Sequence, residues 1–312
     1  MKKVTKWQHI VPQFYLKEFK NEKNLIENYD ILNKKFGQPK GTRPLCAEYF
    51  YYGAETGIQD EISQIVEEFL ESIETPLSKS IPELKKSLIG NSEITPEEKH
   101  IISLLMSMLY IRNNTSRNQI KQTTSNLTLE VLKGIANVKG EERFFNDYER
   151  DTGITLSSSE KKNFLKALEE NIFKIEVNNA PHINFLSKIP NFANILDTQN
   201  WIVYISKIEE NFITSDTPVI SKNPKNWNNK FGVPILSKSY YFPLSPKIFI
   251  QTYYNGQSTT KSIKRKNLLS KKDTQIINDL NLVIASQSEK QLFAYQKIDI
   301  EKILNYRHKK II

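Results

Sequence analysis

A single cysteine, Cys46, stands among 312 residues. One thiol excludes a disulfide framework and any multi-cysteine zinc site, and it leads to the expectation of a reducing, cytoplasmic setting. No stretch comes near the roughly eighteen consecutive apolar residues that a membrane-crossing helix requires, so no membrane partner is expected. With 10 Gly and 13 Pro the chain is far from collagen-like or low-complexity composition. The opening segment Met1 to Trp7 is basic but carries no apolar stretch and no small-residue cleavage site, so no secretory signal is expected. Gly-rich phosphate loops ending in Lys-Ser or Lys-Thr, G-x-G-x-x-G, G-x-S-x-G and H-E-x-x-H are all missing. P-loop hydrolysis, hydride transfer and zinc-protease chemistry therefore lose their usual sequence carriers.

What is present is 38% hydrophobic and 25% charged material over 36.3 kDa, enough for one large core or two interlocked ones. The net charge of +9 is uneven: residues 221–312 hold 17 Lys and Arg against 5 Asp and Glu, whereas residues 1–220 hold 27 against 30. A basic last third suggests an anionic partner, nucleic acid first. The plainer reading is a Lys-, Asn- and Ile-rich composition that owes nothing to a ligand. Only seven of the 44 cations are Arg. Where Lys is the default, an Arg marks a place where a planar, permanently charged fork is useful, and the close pair Arg112 and Arg117 is the first to follow.

The pattern along the chain predicts an α+β fold. A short helix over residues 12–20 starts at Pro12, with Tyr15, Leu16 and Phe19 on one face. Strands follow at 25–32 and 46–52, then a long amphipathic helix from Ile58 to about residue 88, carrying Pro76 and Pro82. Thr95-Pro96-Glu97-Glu98 is a capping box opening a helix that is apolar nearly all round, the mark of a central position. Residues 113–160 are weakly patterned, with a short helix predicted at 127–135; further helices are expected at 159–173 and 183–196. Beyond Thr198, aromatic and β-branched segments at 201–208, 211–214, 234–242 and 248–254 read as antiparallel strands. A helix at 271–285, a strand at 292–295 and a basic tail helix close the chain. The expected organisation is a mainly helical part with an N-terminal hairpin, 1–198, packed with a mixed, largely antiparallel and basic part, 199–312, around one shared core.

Four places carry candidate chemistry. On the long helix the stripe of residues 62, 66, 70, 73 and 77 is flanked by Glu67 and Glu74, which at about 100° per residue fall within roughly 20° of each other and about 10 Å apart along the axis. Two such carboxylates serve a metal, proton transfer or a basic clamp, or else form a charged rim. Arg112 ends the apolar helix, where a buried cation needs either a carboxylate such as Glu67 or Glu74 or a ligand phosphate. His9 precedes the first helix, near N–H groups that favour anions, or is a packed or capping residue. Asp216 ends the strand Phe212-Ile213-Thr214-Ser215 ahead of Pro218, a position suited to metal or base chemistry and equally to a turn.

These blocks occur in a recognisable order. His9-x-Val11-Pro12-x-x-Tyr15-Leu16-x-x-Phe19 is followed by Val66-Glu67-x-x-Leu70-x-x-Ile73-Glu74 and by Arg112 with Arg117. Then come Trp201, Phe212-Ile213-Thr214-Ser215-Asp216-x-Pro218 and Phe242-Pro243-Leu244-Ser245-Pro246. The chain resembles the bacterial family called Domain of Unknown Function 4238, over nearly its whole length. It departs from the family's Arg-Thr-Pro-x-x-Arg block, since Asn113 to Ser116 separate the two arginines here.

The resemblance implies a shared motif set, His9, Glu67, Glu74, Arg112 and Asp216. One imidazole, three carboxylates and a guanidinium suit metal-assisted phosphodiester chemistry. The leading expectation is a metal-dependent nuclease or phosphoesterase of the toxin or phage-defence kind, with Glu74 and Asp216 holding Mg²⁺ or Mn²⁺. Arg117, Lys264, Arg265 and Lys266 would take the substrate. The rival expectation is a non-catalytic module that binds nucleic acid or an operon partner protein, with Glu67, Glu74 and Arg112 as a structural ion network.

Overall fold

The computed structural model of the chain describes residues 5–53, 59–90, 92–223, 238–254 and 262–310. Two compact units are present: residues 1–116 together with 183–312, and residues 117–182. Within the larger unit, helices before residue 198 and strands after it contribute to one apolar core.

The architecture is α+β. In chain order the first part contains β1 (Trp7–His9), α1 (Gln13–Leu16), β2 (Glu27–Asp30), β3 (Lys35–Phe36), β4 (Ala47–Tyr49), α2 (Gln59–Ile89) and α3 (Pro96–Ile111). Helices α4 (Asn114–Lys139), α5 (Glu141–Thr152), α6 (Ser158–Glu169), α7 (Ala180–Leu186) and α8 (Ile189–Asp197) follow. The last part is β5 (Asn200–Ser206), β6 (Thr214–Ser215), β7 (Ile220–Lys222), β8 (Ser239–Ser245), β9 (Ile248–Tyr253), β10 (Ile263–Leu268), α9 (Thr274–Gln287), β11 (Gln291–Ala294) and α10 (Lys297–Lys310). The predicted start of the long helix at Ile58 and residues 234–237 of one predicted strand lie outside the described residues.

In the larger unit, a five-stranded sheet in the order β10-β5-β9-β8-β7 is antiparallel except where β10 runs parallel to β5. One face carries Trp201, Val203, Ile205, Tyr240, Phe242 and Ile250, which share a core with the apolar residues of α2, α3 and α8. Helix α3 is buried because it is apolar on nearly every side, as its composition predicts. Its start follows the sequence signal: the Thr95 hydroxyl accepts the Glu98 N–H at 3.2 Å, and the Glu98 carboxylate accepts the Thr95 N–H at 2.8 Å. Its one buried lysine, Lys99, caps the end of α8 by donating to the carbonyls of Asp197 and Gln199, each at 2.8 Å.

A four-stranded sheet, β3-β2-β11-β6, brings the chain's beginning and end together. A Cβ at Gly37 beside it would collide with Asn28 Oδ1, so a larger residue there would displace the Asn28 amide that donates to the Gln38 carbonyl. The buried Tyr15 hydroxyl joins α1 to both sheets, donating to the carbonyl of Pro243 at 2.6 Å and pairing with the Thr214 hydroxyl at 2.7 Å. Pro243 fits within β8 because the register with β9 shifts between Pro243 and Ser245, where a ladder N–H is dispensable.

The smaller unit has its own core of Leu129, Ala136, Phe144, Phe145 and Leu168, with Phe164 and Phe173 packed against it. The sequence pattern predicts a helix at 159–173, where α6 is found, but only nine residues of helix at 127–135. The observed α4 is 26 residues long, and its polar composition leaves little apolar periodicity to read.

Candidate functional site

Three separated segments converge on one cleft of about 1390 Å³ in the larger unit. Strand β1 brings His9, helix α2 brings Glu67, Glu71 and Glu74, and the C-terminus of α3 brings Arg112. Four of the five residues singled out by the sequence motifs therefore line the same cavity. Arg43, Lys6 and the exposed Trp7 add two cations and an aromatic ring to its wall. The helical spacing accounts for the acids: Glu67, Glu71 and Glu74 are neighbours on one face, and Glu68 points outward.

Arg112 anchors the floor. It is 2% exposed, and its guanidinium is held from three directions. Nη1 donates to the Glu74 carboxylate at 2.5 Å, Nε donates to the Tyr52 hydroxyl at 3.0 Å, and Nη2 donates to the His9 carbonyl. The Arg112 carbonyl in turn accepts the Tyr51 hydroxyl at 3.0 Å. A guanidinium suits this role because its fork reaches several acceptors at once and stays charged. Burial works against that charge, but Tyr52 and Glu74 outweigh it and raise the pKa further. Burial also lifts the Tyr52 phenol to about 12, so it stays protonated.

Gln8 completes the support. It is fully buried, accepts the Tyr52 N–H on Oε1 at 2.8 Å and donates to the Thr5 carbonyl at 3.3 Å. Strand β4 pairs with β1 to close this side, and it is bracketed by Cys46 and Phe50, non-glycine residues with φ of 52° and 46°. Two left-handed residues around a three-residue strand are a local strain of the kind found at functional sites.

Glu67 and His9 differ from Arg112 in having reactive protonation states. Burial pushes the Glu67 carboxyl up to about 7, with Glu74 and Glu71 adding to the shift and Arg112 opposing it. Burial lowers the His9 imidazole below its ordinary 6.5, against the bond to the Arg43 carbonyl. That bond, 3.0 Å from His9 Nε2, fixes the tautomer, because a carbonyl oxygen only accepts. Nε2 carries the hydrogen and Nδ1 keeps its lone pair. A neutral imidazole with a basic nitrogen and a carboxylic acid titrating near neutrality thus face one cleft, a pair suited to proton transfer.

Asp216 lies elsewhere. Its carboxylate accepts the backbone N–H of Glu289 at 3.2 Å and of Lys290 at 2.7 Å, which holds the turn before β11. Burial raises its pKa to about 6. It is therefore not brought together with Glu74, whose Oε1 is committed to Arg112. Among the described residues no group of three or more His, Cys, Asp and Glu is placed to hold a metal ion. A Mg²⁺ or Mn²⁺ held between Glu74 and Asp216 does not fit this arrangement.

The expected substrate residues have different surroundings. Arg117 belongs to the smaller unit. Arg265 turns inward from β10 and donates to the carbonyls of Leu88 at 3.0 Å and of Ser87 at 3.1 Å, and to that of Ser92. It caps the end of α2, satisfying carbonyls that the helix leaves unpaired. Lys264 and Lys266, one residue either side, point to the opposite face and are exposed.

Sequence reasoning did not find Tyr52, Gln8 and Trp7, whose roles depend on chain contacts across some forty residues or more. Arg43 was visible only as one of seven arginines.

No curated protein and no solved structure matches the chain. A family model described as Protein of unknown function (DUF4238) matches residues 7–297, from the first strand of the cleft to the start of the last helix, and the chain belongs to that family.

Proposed function

We propose that the protein is a phosphodiester hydrolase acting on nucleic acid, with its active centre in the β1–α2–α3 cleft. The observation that carries this reading is the convergence of His9, Glu67 and the cations Arg43 and Lys6 on one cavity, over a floor made rigid by Arg112 and Glu74. His9 Nδ1 takes a proton from water, and the resulting hydroxide attacks phosphorus. The phosphorus–oxygen bond to the leaving group breaks, and protonated Glu67 gives its proton to that oxygen. Arg43 and Lys6 balance the charge on the non-bridging oxygens. Trp7, 63% exposed at the mouth, offers a ring to a base. Arg112 is a positioning residue: it holds Glu74 and the His9 backbone, and so sets the distance between acid and base.

A divalent ion is compatible with this scheme as a companion of the substrate. Mg²⁺ commonly takes one or two carboxylates and completes its shell with phosphate oxygens and water, and Glu71, which lines the cleft and has no part in the proton transfers, is the carboxylate available for that purpose. No step above depends on it.

The rival reading, a non-catalytic module with a structural ion network, is favoured by one observation. Arg112 is fully engaged within the protein, with Nε, Nη1 and Nη2 each donating to a protein acceptor. It accounts for Arg112 and Glu74 and leaves the Glu67–His9 pair without a role. The discriminating experiment incubates purified protein with single- and double-stranded DNA and RNA, with Mg²⁺, Mn²⁺ or EDTA. The hydrolase reading expects cleavage of at least one substrate; binding without cleavage under every condition supports the rival.

A further inference from the structure

The face of the five-stranded sheet turned away from α3 and α8 is the opposite of an ordinary core face. Strand register brings Lys264 and Lys266 of β10 beside Ile202 and Tyr204 of β5, with Gln251 and Tyr253 of β9, Tyr241 of β8 and Lys222 of β7 on the same side. Helix α9 covers one end of this face, where Ile220, Phe249 and Leu268 are buried against Ile277, Leu280 and Ile284. Among the described residues no element covers the other end: Ile202, Tyr241, Gln251 and Tyr253 are half-buried, and all three lysines are exposed.

A polar chain crosses this end. The Tyr204 hydroxyl donates to Gln251 Oε1 at 2.9 Å, and Gln251 Nε2 donates to the Tyr241 hydroxyl at 3.3 Å. The two outer rings each carry a cation, with Lys266 Nζ 5.8 Å from the Tyr204 ring and Lys222 Nζ 5.6 Å from that of Tyr241. Among the described residues of this face none is Asp or Glu. Asp273, whose carboxyl is held down mainly by backbone hydrogen bonds, is tied to the N–H groups of Leu269 and Ser270.

Half-buried aromatic rings on a sheet face, one of them, Tyr241, oriented by a hydrogen bond, with lysines around them, match the chemistry of an unpaired strand. Exposed bases stack on such rings whatever their identity, and phosphates meet the surrounding cations. A duplex hides its base faces and would meet only the lysines. We propose that this face is a binding platform for single-stranded nucleic acid, with Tyr241 and Tyr253 receiving bases and Lys222, Lys264 and Lys266 receiving phosphates. None of these residues takes part in the cleft. In naming single strands as the substrate class of the cleft, the inference rests on the hydrolase reading.

The test measures fluorescence anisotropy of a labelled single-stranded oligonucleotide and of a duplex of equal length, using the full chain carrying Glu67→Gln so that binding is read without cleavage. Tighter binding of the single strand is expected. Lys222→Glu, Lys264→Glu and Lys266→Glu together should weaken it and lower the salt slope by about 2, at about 0.7 per phosphate contact. Tyr253→Leu, which keeps the apolar volume, should cost about tenfold in affinity. Equal affinity for the duplex, unchanged binding in both variants, or binding only to anionic lipid vesicles would overturn the proposal. In parallel, wild-type and triple-variant proteins hydrolyse a small phosphodiester such as bis(p-nitrophenyl) phosphate. Binding without hydrolysis by either protein sinks the cleft reading and leaves the platform standing; hydrolysis by both, with no strand binding, does the reverse.

Discussion

The buried guanidinium of Arg112 and the carboxylate of Glu74 lie 2.5 Å apart, joining the C-terminus of one central helix to the middle of another. Glu74 remains 27% exposed toward the cleft, whereas Arg112 is 2% exposed. The pair is thus a partly solvent-facing acid held in place by a buried cation that also serves the Tyr52 hydroxyl and the His9 carbonyl. Removing the cation leaves Glu74, the Tyr52 hydroxyl and the His9 carbonyl without their donor. Arg112→Ala should lose about 3–5 kcal/mol of stability. Denaturant unfolding checks this, and Arg112→Lys should recover only part of the loss, since an ammonium does not reproduce the fork.

The titrations in the cleft set a pH dependence. Glu67 has its pKa raised from 4.5 to about 7 in the folded protein, so the native state holds a proton that the unfolded chain has released. The associated stability is complete below pH 4.5 and is lost as pH rises through about 7. Glu67→Gln removes that decline: thermal unfolding of the variant, compared with wild type at pH 5 and pH 8, should show a smaller drop. Activity follows the opposite requirement at each group. His9 must be neutral and Glu67 protonated, so kcat/KM should rise as pH passes a His9 value below 6.5 and fall beyond about 7.

The Asp216 carboxylate accepts two backbone N–H groups ahead of β11. Replacing Asp216 with Ala leaves the Glu289 and Lys290 N–H groups without their acceptor, at a cost of about 1–3 kcal/mol. Catalytic rates of the folded variant should stay within about threefold of wild type, as expected for a residue outside the transition-state contacts. A loss of activity of about a hundredfold or more with unchanged melting would instead place Asp216 in the chemistry.

Arg265 offers a matching contrast on the basic strand. Its guanidinium serves the end of α2, so Arg265→Ala should lower stability by about 1–3 kcal/mol through its charge-assisted bonds. Affinity for nucleic acid should be unaffected, because the side chain faces the core side of the sheet. Unfolding curves and anisotropy on the same preparation separate the two effects.

Much of this arrangement is legible in the sequence, and the reasons are local. Glu67 and Glu74 share a helix face by spacing alone, and the capping box at Thr95 fixes where α3 begins, which places Arg112 at its end. The surroundings of Asp216 and Arg265 are not legible, for a related reason. A carboxylate after a strand and an arginine in a basic run look functional in one dimension, and only the tertiary contacts reveal that each is spent on backbone groups. Strand alternation would separate Arg265 from Lys264 and Lys266, but β10 itself has too many charges to read as a strand. Tyr52 and Gln8 have no local signature, since both act across the β1–β4 pair. Helix α4 is long without apolar periodicity, so its extent is invisible to pattern reading.

The hydrolase reading turns on proton transfer by Glu67 in a cleft shared with His9. Cleavage of a single-stranded oligonucleotide by wild type and Glu67→Gln, each at pH 6.5 with its melting temperature recorded, tests it directly. The account predicts that the variant is slower by about a hundredfold or more, with melting unchanged or raised. Cleavage by Glu67→Gln at the wild-type rate would contradict it.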